Sequence, residues 1–80
     1  MNTYTAVKNR ILQLLGEKGM SIHKLAMESA VPPSSIKNIL YGKSQNPGIV
    51  TIKMLCDGFD ISLLDFFDTE EFRNFEQEIK

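Results

Sequence analysis

Two adjacent prolines, Pro32 and Pro33, separate two short segments in which apolar residues recur at helical spacing. Proline disfavours the helical conformation in the residue before it, so the backbone at residues 31–32 is expected to be extended. Pro33 then falls at the first position of the following helix, where its missing N–H has no cost. The sequence therefore predicts two short helices that meet at a defined angle across this turn.

The two helices beside the prolines have recognisable ends. Ser21 is a good N-cap for the first helix, which should end near Ser29. The second should cover residues 33–41 and end at Gly42, because glycine readily adopts the left-handed conformation that follows a helix. The residues expected to face the core are Ile22, Leu25 and Ala26 in the first helix and Ile36 and Ile39 in the second.

Helical periodicity also dominates the rest of the chain, and the one ambiguous strand pattern is at residues 48–52. Thr3 or Thr5 is expected to cap the N-terminal helix of the chain, over residues 4–18, and Ser62 is expected to cap the helix over residues 62–67. The predicted fold is all-α: one domain over residues 1–80, with a five-helix core at 4–67 and an extra C-terminal helix. The predicted helices cover residues 4–18, 21–29, 33–41, 49–59, 62–67 and, for the acidic tail, 68–80.

Several classes of protein are not expected from this composition. The chain has no apolar run long enough to span a membrane, and its first residues lack a signal-peptide pattern. The single cysteine, Cys56, is expected to fill the core of a cytoplasmic protein. His23 and Cys56 lie on different predicted helices without an acid–base partner, so an enzyme is not expected. The sequence suggests no cofactor, metal or small-molecule ligand.

The charge of the chain is unevenly distributed, although the net charge is only −1. Residues 1–48 hold six basic and two acidic side chains, a balance of +4, whereas residues 49–80 hold three basic and eight acidic ones, a balance of −5. Such asymmetry is typical of a protein with one anion-binding half. Scattered solubilising charge is an equal alternative at this point.

A set of residues from 21 to 67 has a spacing that is specific as a whole, although each residue alone is not. The set comprises Ser21, Ile22, Leu25, Ala26, Val31, Ile36, Ile39, Gly42, Lys43, Pro47, Ile61, Ser62, Leu63, Phe66 and Phe67, and the helix over residues 4–18 adds Val7, Arg10, Ile11, Leu14, Lys18 and Gly19. With these residues the chain resembles the phage repressor/Cro-type (XRE) helix-turn-helix family.

The resemblance implies a lambda-repressor-like fold and a function as a sequence-specific transcriptional regulator, repressor-like, that binds double-stranded DNA. The helix over residues 33–41 would enter the major groove. A protein-interaction module on the same fold, such as an antitoxin or anti-regulator, is the alternative. The chain departs from the family pattern where Ala30 and Asp60 replace glycines, Pro32 replaces a serine cap and Pro33 replaces a polar residue.

The same resemblance implies a set of DNA contacts, for which a plain solvated face is the alternative. Asn38 could pair with adenine and Lys37 with guanine, Ser34 is permissive, and Pro33 could only offer an apolar contact, for example to a thymine methyl group. The residues expected to contact phosphates are Ser21, His23, Tyr41, Lys43, Ser44 and Gln45.

Useful specificity from one small domain normally requires two copies on half-sites about 34 Å apart, so a homodimer is expected. Apolar residues that could form its interface lie near the fifth helix and in the tail. The alternative is that the tail folds back within one chain and covers Leu12 and Leu15 of the first helix. The predicted interface residues are Leu63, Leu64, Phe72, Phe75 and Ile79.

Overall fold

The structure, a computed structural model, describes residues 2–74 and 77–79 and confirms the all-α prediction. Within these residues it contains helices and no strand. No helix among them is long and apolar enough to cross a membrane. The helices are α1 (Thr3–Lys18), α2 (Ile22–Ser29), α3 (Pro33–Leu40), α4 (Ile49–Phe59), α5 (Leu63–Phe67) and α6 (Glu70–Arg73).

The N-terminal ends of three helices carry the side-chain caps that such ends need. The Ser21 and Ser62 hydroxyls accept hydrogen bonds from the backbone N–H groups three residues later, as predicted. The predicted cap of α1 was wrong: Asn2, in an extended conformation, accepts from the N–H of Thr5 at 2.9 Å. Thr3 already lies inside the helix, so its hydroxyl is not placed to cap it.

The core is formed by the inward faces of the first five helices, as the periodicity predicted. The same periodicity also placed Ile49 on the core face of α4, and this was wrong: Ile49 is the first residue of the helix and is 59% exposed. α2 crosses α4 closely, because Gly58 has no side chain at the point where the two backbones meet. The buried apolar residues are Ala6, Val7, Ile11, Leu14, Leu25, Ala26, Val31, Ile36, Ile39, Leu40, Ile52, Leu55, Cys56, Phe59 and Phe66.

The tail helix is shorter than the prediction of residues 68–80, since α6 has only four residues and residues 77–79 are not helical. The ring of Phe72 lies 4.9 Å from that of Phe67 and 6.2 Å from that of Phe66, centroid to centroid. Phe72 therefore packs against rings of its own chain, and Asn74, a weak helix former, follows the last residue of α6. Phe75 lies outside the described residues.

The tail contacts α1 at two places. Glu78 accepts a hydrogen bond of 2.8 Å from the backbone N–H of Thr3, and Glu71 lies 3.5 Å from the Asn9 amide nitrogen. Leu15 packs against the core, but Leu12 remains about half exposed at 48%. The tail therefore lies against the N-terminal half of α1 without covering Leu12.

Candidate nucleic-acid interface

The turn between α2 and α3 is built from residues with restricted conformations. Ala30 adopts the left-handed conformation, with φ of 59° and ψ of 20°. Ser29 is buried, and its hydroxyl accepts a hydrogen bond of 3.2 Å from the N–H of Val31. Pro32 is extended, with φ of −57° and ψ of 144°. These constraints fix the direction in which α3 leaves the turn.

The orientation of α3 exposes the four residues predicted to read bases. The helix begins at Pro33, as predicted, and buries Ile36, Ile39 and Leu40. Its N-terminal end has no side-chain cap among the described residues, which agrees with the replacement of a serine by Pro32. The residues on the exposed face are Pro33, Ser34, Lys37 and Asn38.

The C-terminal end of α3 is held by three hydrogen bonds to its last carbonyl groups. Lys37 O accepts from the N–H of Tyr41 at 2.8 Å, and Asn38 O from that of Ser44 at 2.9 Å. The hydroxyl of Tyr4, on α1, donates to Ile39 O at 2.6 Å. Sequence reasoning missed Tyr4, and no local pattern indicates a contact 35 residues away.

Two of the predicted phosphate-contacting residues, His23 and Ser44, adjoin the exposed face of α3. Ser21 and His23 are exposed at the start of α2, and His23 lines one depression together with Pro33. Beyond α3, Ser44 is half-buried and shares a groove with Asn38 and with Thr51 of α4. The remaining predicted residues, Tyr41, Lys43 and Gln45, are exposed.

The charges on this surface leave positive groups available to an anion. Lys24 pairs with Glu28 at 2.9 Å, both on α2. Lys37 and Lys43 form no ion pair with any residue that the structure describes. A Lys ammonium group in such a position neutralises phosphate charge at little desolvation cost.

The predicted dimer residues differ in how exposed they are in the structure. Leu63 and Phe72 are half-buried against the core of their own chain, whereas Leu64 is 82% exposed and Ile79 is 81% exposed. Phe75, as stated above, is not described. Leu64 and Ile79 are therefore the described residues of this prediction that are available to a second chain.

The groups that could carry other chemistry are few in the described residues. They contain no cluster of three or more His, Cys, Asp and Glu side chains that could hold a metal ion. Cys56 is buried in the core, as predicted, and this burial raises the pKa of its thiol, while Lys53 and Arg10 act in the opposite direction. A buried thiol with a raised pKa is unreactive.

Together, α2, the turn and α3 form a helix-turn-helix with an exposed polar helix, which is the architecture of a class of DNA-binding domains. The family model of the Cro/C1-type HTH DNA-binding domain matches residues 10–71. The chain belongs to this family, which confirms the resemblance seen in the sequence.

A curated protein is also similar to the chain. It is 36% identical over 62 residues to the HTH-type transcriptional regulator SlrR of Bacillus subtilis (strain 168), a match that covers 76% of this chain and 41% of that protein. The chain thus spans less than half the length of this curated relative.

Two solved structures share the fold. The restriction-modification controller protein C.Esp1396I has a TM-score of 0.75 and 26% identity, over 81% of this chain and 83% of that one. The prophage Lp1 protein 11 has a TM-score of 0.79 over 92% of this chain and 97% of that one, and at 24% identity it shows the fold alone.

Proposed function

We propose that the chain is a sequence-specific, repressor-like transcriptional regulator that places α3 in the major groove of double-stranded DNA. The observation that carries this proposal is the exposed polar face of α3, held at one end by the Pro32–Pro33 turn and at the other by Tyr4 and Ser44. The family and the relative named as a transcriptional regulator support it.

The roles of individual side chains follow from their chemistry. Asn38 is proposed to pair with adenine through its amide, and Lys37 to donate to guanine acceptors. Ser34 can donate or accept, and Pro33 contributes an apolar contact. The residues proposed to contact phosphates are Ser21, His23, Tyr41, Lys43, Ser44 and Gln45, of which all but the half-buried Ser44 are exposed.

We also propose that the chain acts as a homodimer on two half-sites, in the cytoplasm and without catalysis. Leu64 is the centre of the proposed interface because its side chain is almost fully exposed beside the half-buried Leu63. Removal of this apolar surface from water by a second copy would favour association. Phe72, Phe75 and Ile79 were predicted at the same interface, and of these Ile79 is exposed in the structure.

The experiment that tests the function measures binding to the duplex upstream of the chain's own gene and to a scrambled duplex of equal length. Fluorescence anisotropy at low and at moderate salt separates phosphate attraction from base readout, because only the former depends steeply on salt. We expect the upstream duplex to remain bound at moderate salt when the scrambled one has dissociated. Equal affinities for both duplexes at moderate salt would contradict the proposal.

A further inference from the structure

Arg10, near the middle of α1, holds the C-terminal end of α5. Its Nε donates to Phe66 O and its Nη2 to Asp65 O, each at 2.8 Å. Both carbonyl groups lie in the last turn of α5, where a helix lacks internal partners for such groups. Arg10 forms no ion pair with any residue that the structure describes. Its guanidinium therefore serves the end of one short helix rather than a carboxylate.

The orientation of this guanidinium is fixed from its own helix. Arg10 Nη1 donates to Gln13 Oε1 at 3.0 Å, and Gln13 Nε2 donates in turn to Glu17 Oε1 at 3.2 Å. These three residues are neighbours on the surface of α1, because they lie three and four positions apart. Each nitrogen of the guanidinium thus has an acceptor, and its planar fork is held in place between α1 and α5.

The same helix also holds α3. Tyr4, six residues before Arg10, donates from its hydroxyl to Ile39 O at 2.6 Å. The two side chains are about 9 Å apart along the helix axis, and α1 is continuous between them. α1 therefore joins the proposed reading helix, through Tyr4, to the helix that carries the exposed Leu64, through Arg10.

The contact with Arg10 is made one residue away from the proposed centre of the dimer, since Leu64 immediately precedes Asp65. α5 has five residues and fully buries only Phe66, so few packing contacts fix its C-terminal end. We propose that Arg10 is a positioning residue that sets the distance between the two α3 helices of the dimer, and hence the half-site spacing that the dimer accepts. This inference rests on the proposed function, since it requires a homodimer with α3 on each half-site.

A purely stabilising role of Arg10 predicts a different result. A loss of stability lowers the folded fraction, and with it the apparent affinity for every duplex by the same factor. The ratio of two affinities measured on one protein is free of this effect. A change in the ratio between two half-site spacings therefore reports on the geometry of the dimer.

The experiment uses a duplex selected from a random library with the 80-residue chain, and two versions with one base pair inserted or removed between the half-sites. One base pair moves a half-site by about 3.4 Å and rotates it by about 34°. We call the factor by which such a shifted duplex binds more weakly the spacing penalty. A misplaced half-site loses base contacts, so we expect a penalty of more than about tenfold in the parent.

Arg10→Gln is expected to reduce the spacing penalty by about tenfold, which is the difference that two partly exposed hydrogen bonds correspond to. The reason is that α5 of the variant can shift relative to α1, so the dimer adapts to the wrong spacing at a lower cost. Affinity for a single half-site should be that of the parent, and sedimentation should find the variant dimeric.

Two further variants control for charge and for folding. Lys8→Gln removes the same charge from α1, but Lys8 has no ion pair within the described part of the chain, so the parent penalty should remain. Arg10→Lys keeps the charge and can reach one of the two carbonyl groups, so the penalty should fall by about threefold. This conservative variant decides the question where Arg10→Gln does not fold.

The outcomes separate Arg10 from the function. A parent-like penalty in the Arg10 variants, an equal reduction in Lys8→Gln, or a parent that binds all spacings alike would overturn the role of Arg10 and leave the proposed function intact. A monomeric Arg10→Gln variant would also overturn it, because a lower penalty would then report dissociation. A selection that yields no preferred duplex with two half-sites would instead overturn the proposed function itself.

Discussion

Tyr4 in α1 donates a hydrogen bond of 2.6 Å from its hydroxyl to the carbonyl oxygen of Ile39, in the last turn of α3. The last carbonyl groups of a helix have no partner within the helix, and at this end of α3 they are instead satisfied by Tyr41, Ser44 and Tyr4. Tyr4 is the one of these three that lies on another helix. It therefore ties the orientation of the exposed face of α3 to α1.

Tyr4→Phe is expected to lower the free energy of unfolding by about 1 kcal/mol, because the hydrogen bond is lost and Ile39 O remains partly buried. Affinity for a selected duplex should fall more than affinity for a scrambled one, since only base readout depends on the exact direction of α3. Urea denaturation and anisotropy measure the two effects. Tyr41→Phe is the matched control for stability, because that side chain is 73% exposed. Equal stability of Tyr4→Phe and the parent would contradict the prediction.

Asn38→Ala and Lys43→Ala are expected to weaken DNA binding in different ways. Asn38→Ala should reduce affinity for the selected duplex by about 1–3 kcal/mol and relax the preference at one base pair. Lys43→Ala should weaken binding to all duplexes alike and reduce the slope of log affinity against log salt by about 1. Parent-like binding by both variants would show that the assignment of the reading face is wrong.

Ala30→Gly is expected to stabilise the chain. An alanine in the left-handed conformation is strained by about 1–2 kcal/mol. Glycine relieves this strain but loses about 0.4–1 kcal/mol through the greater freedom of the unfolded chain. A gain of about 0.5–1 kcal/mol should remain, visible as a higher urea midpoint with an unchanged slope. A lower midpoint would mean that the turn does not have the observed φ of 59°.

Gly58→Ala and Gly16→Ala should change stability in opposite directions, although both glycines lie within helices. A Cβ atom at residue 58 would lie 2.8 Å from the Cβ atom of Ser29, so α2 and α4 would have to separate. Overpacking of this kind costs about 1–3 kcal/mol, which exceeds the helix-propensity gain of about 1 kcal/mol. Nothing lies within 4 Å of a Cβ atom at residue 16, so the propensity gain should appear there in full. Thermal melting of the two variants gives the comparison, and a stabilised Gly58→Ala variant would contradict the close crossing of α2 and α4.

Local sequence signals were sufficient for most of the fold, but not for the contacts that join its ends. Pro33, Ser21 and Ser62 could be placed because proline and serine act on their own helix, within three residues. The role of Arg10 could not be predicted, since its guanidinium donates at 2.8 Å to the carbonyl oxygens of Asp65 and Phe66, more than 50 residues away. The packing of Phe72 was missed for a related reason.

Phe72 forms an aromatic cluster with Phe66 and Phe67 of its own chain. The spacing of Phe72, Phe75 and Ile79 indicated one apolar helical face, but a regular spacing does not show which surface covers it. In the structure, the two aromatic rings of Phe66 and Phe67 in the same chain pack against Phe72. The exposed face of α3, in contrast, could be predicted from the sequence, because buried Ile36 and Ile39 determine which face is exposed. The DNA contacts of that face stay a prediction.

The proposed homodimer predicts a specific effect of Leu64→Glu. Leu64 lies in the first turn of α5, where an acidic side chain suits the helix dipole, so the variant should fold like the parent. A charge in an apolar interface must be desolvated, and we expect the variant to be monomeric where the parent is dimeric. Sedimentation or light scattering at high micromolar concentration measures this. Leu12→Glu on α1, also an exposed leucine, is the matched control and should remain dimeric. A monomeric parent, or a dimeric Leu64→Glu variant, would remove Leu64 from the interface.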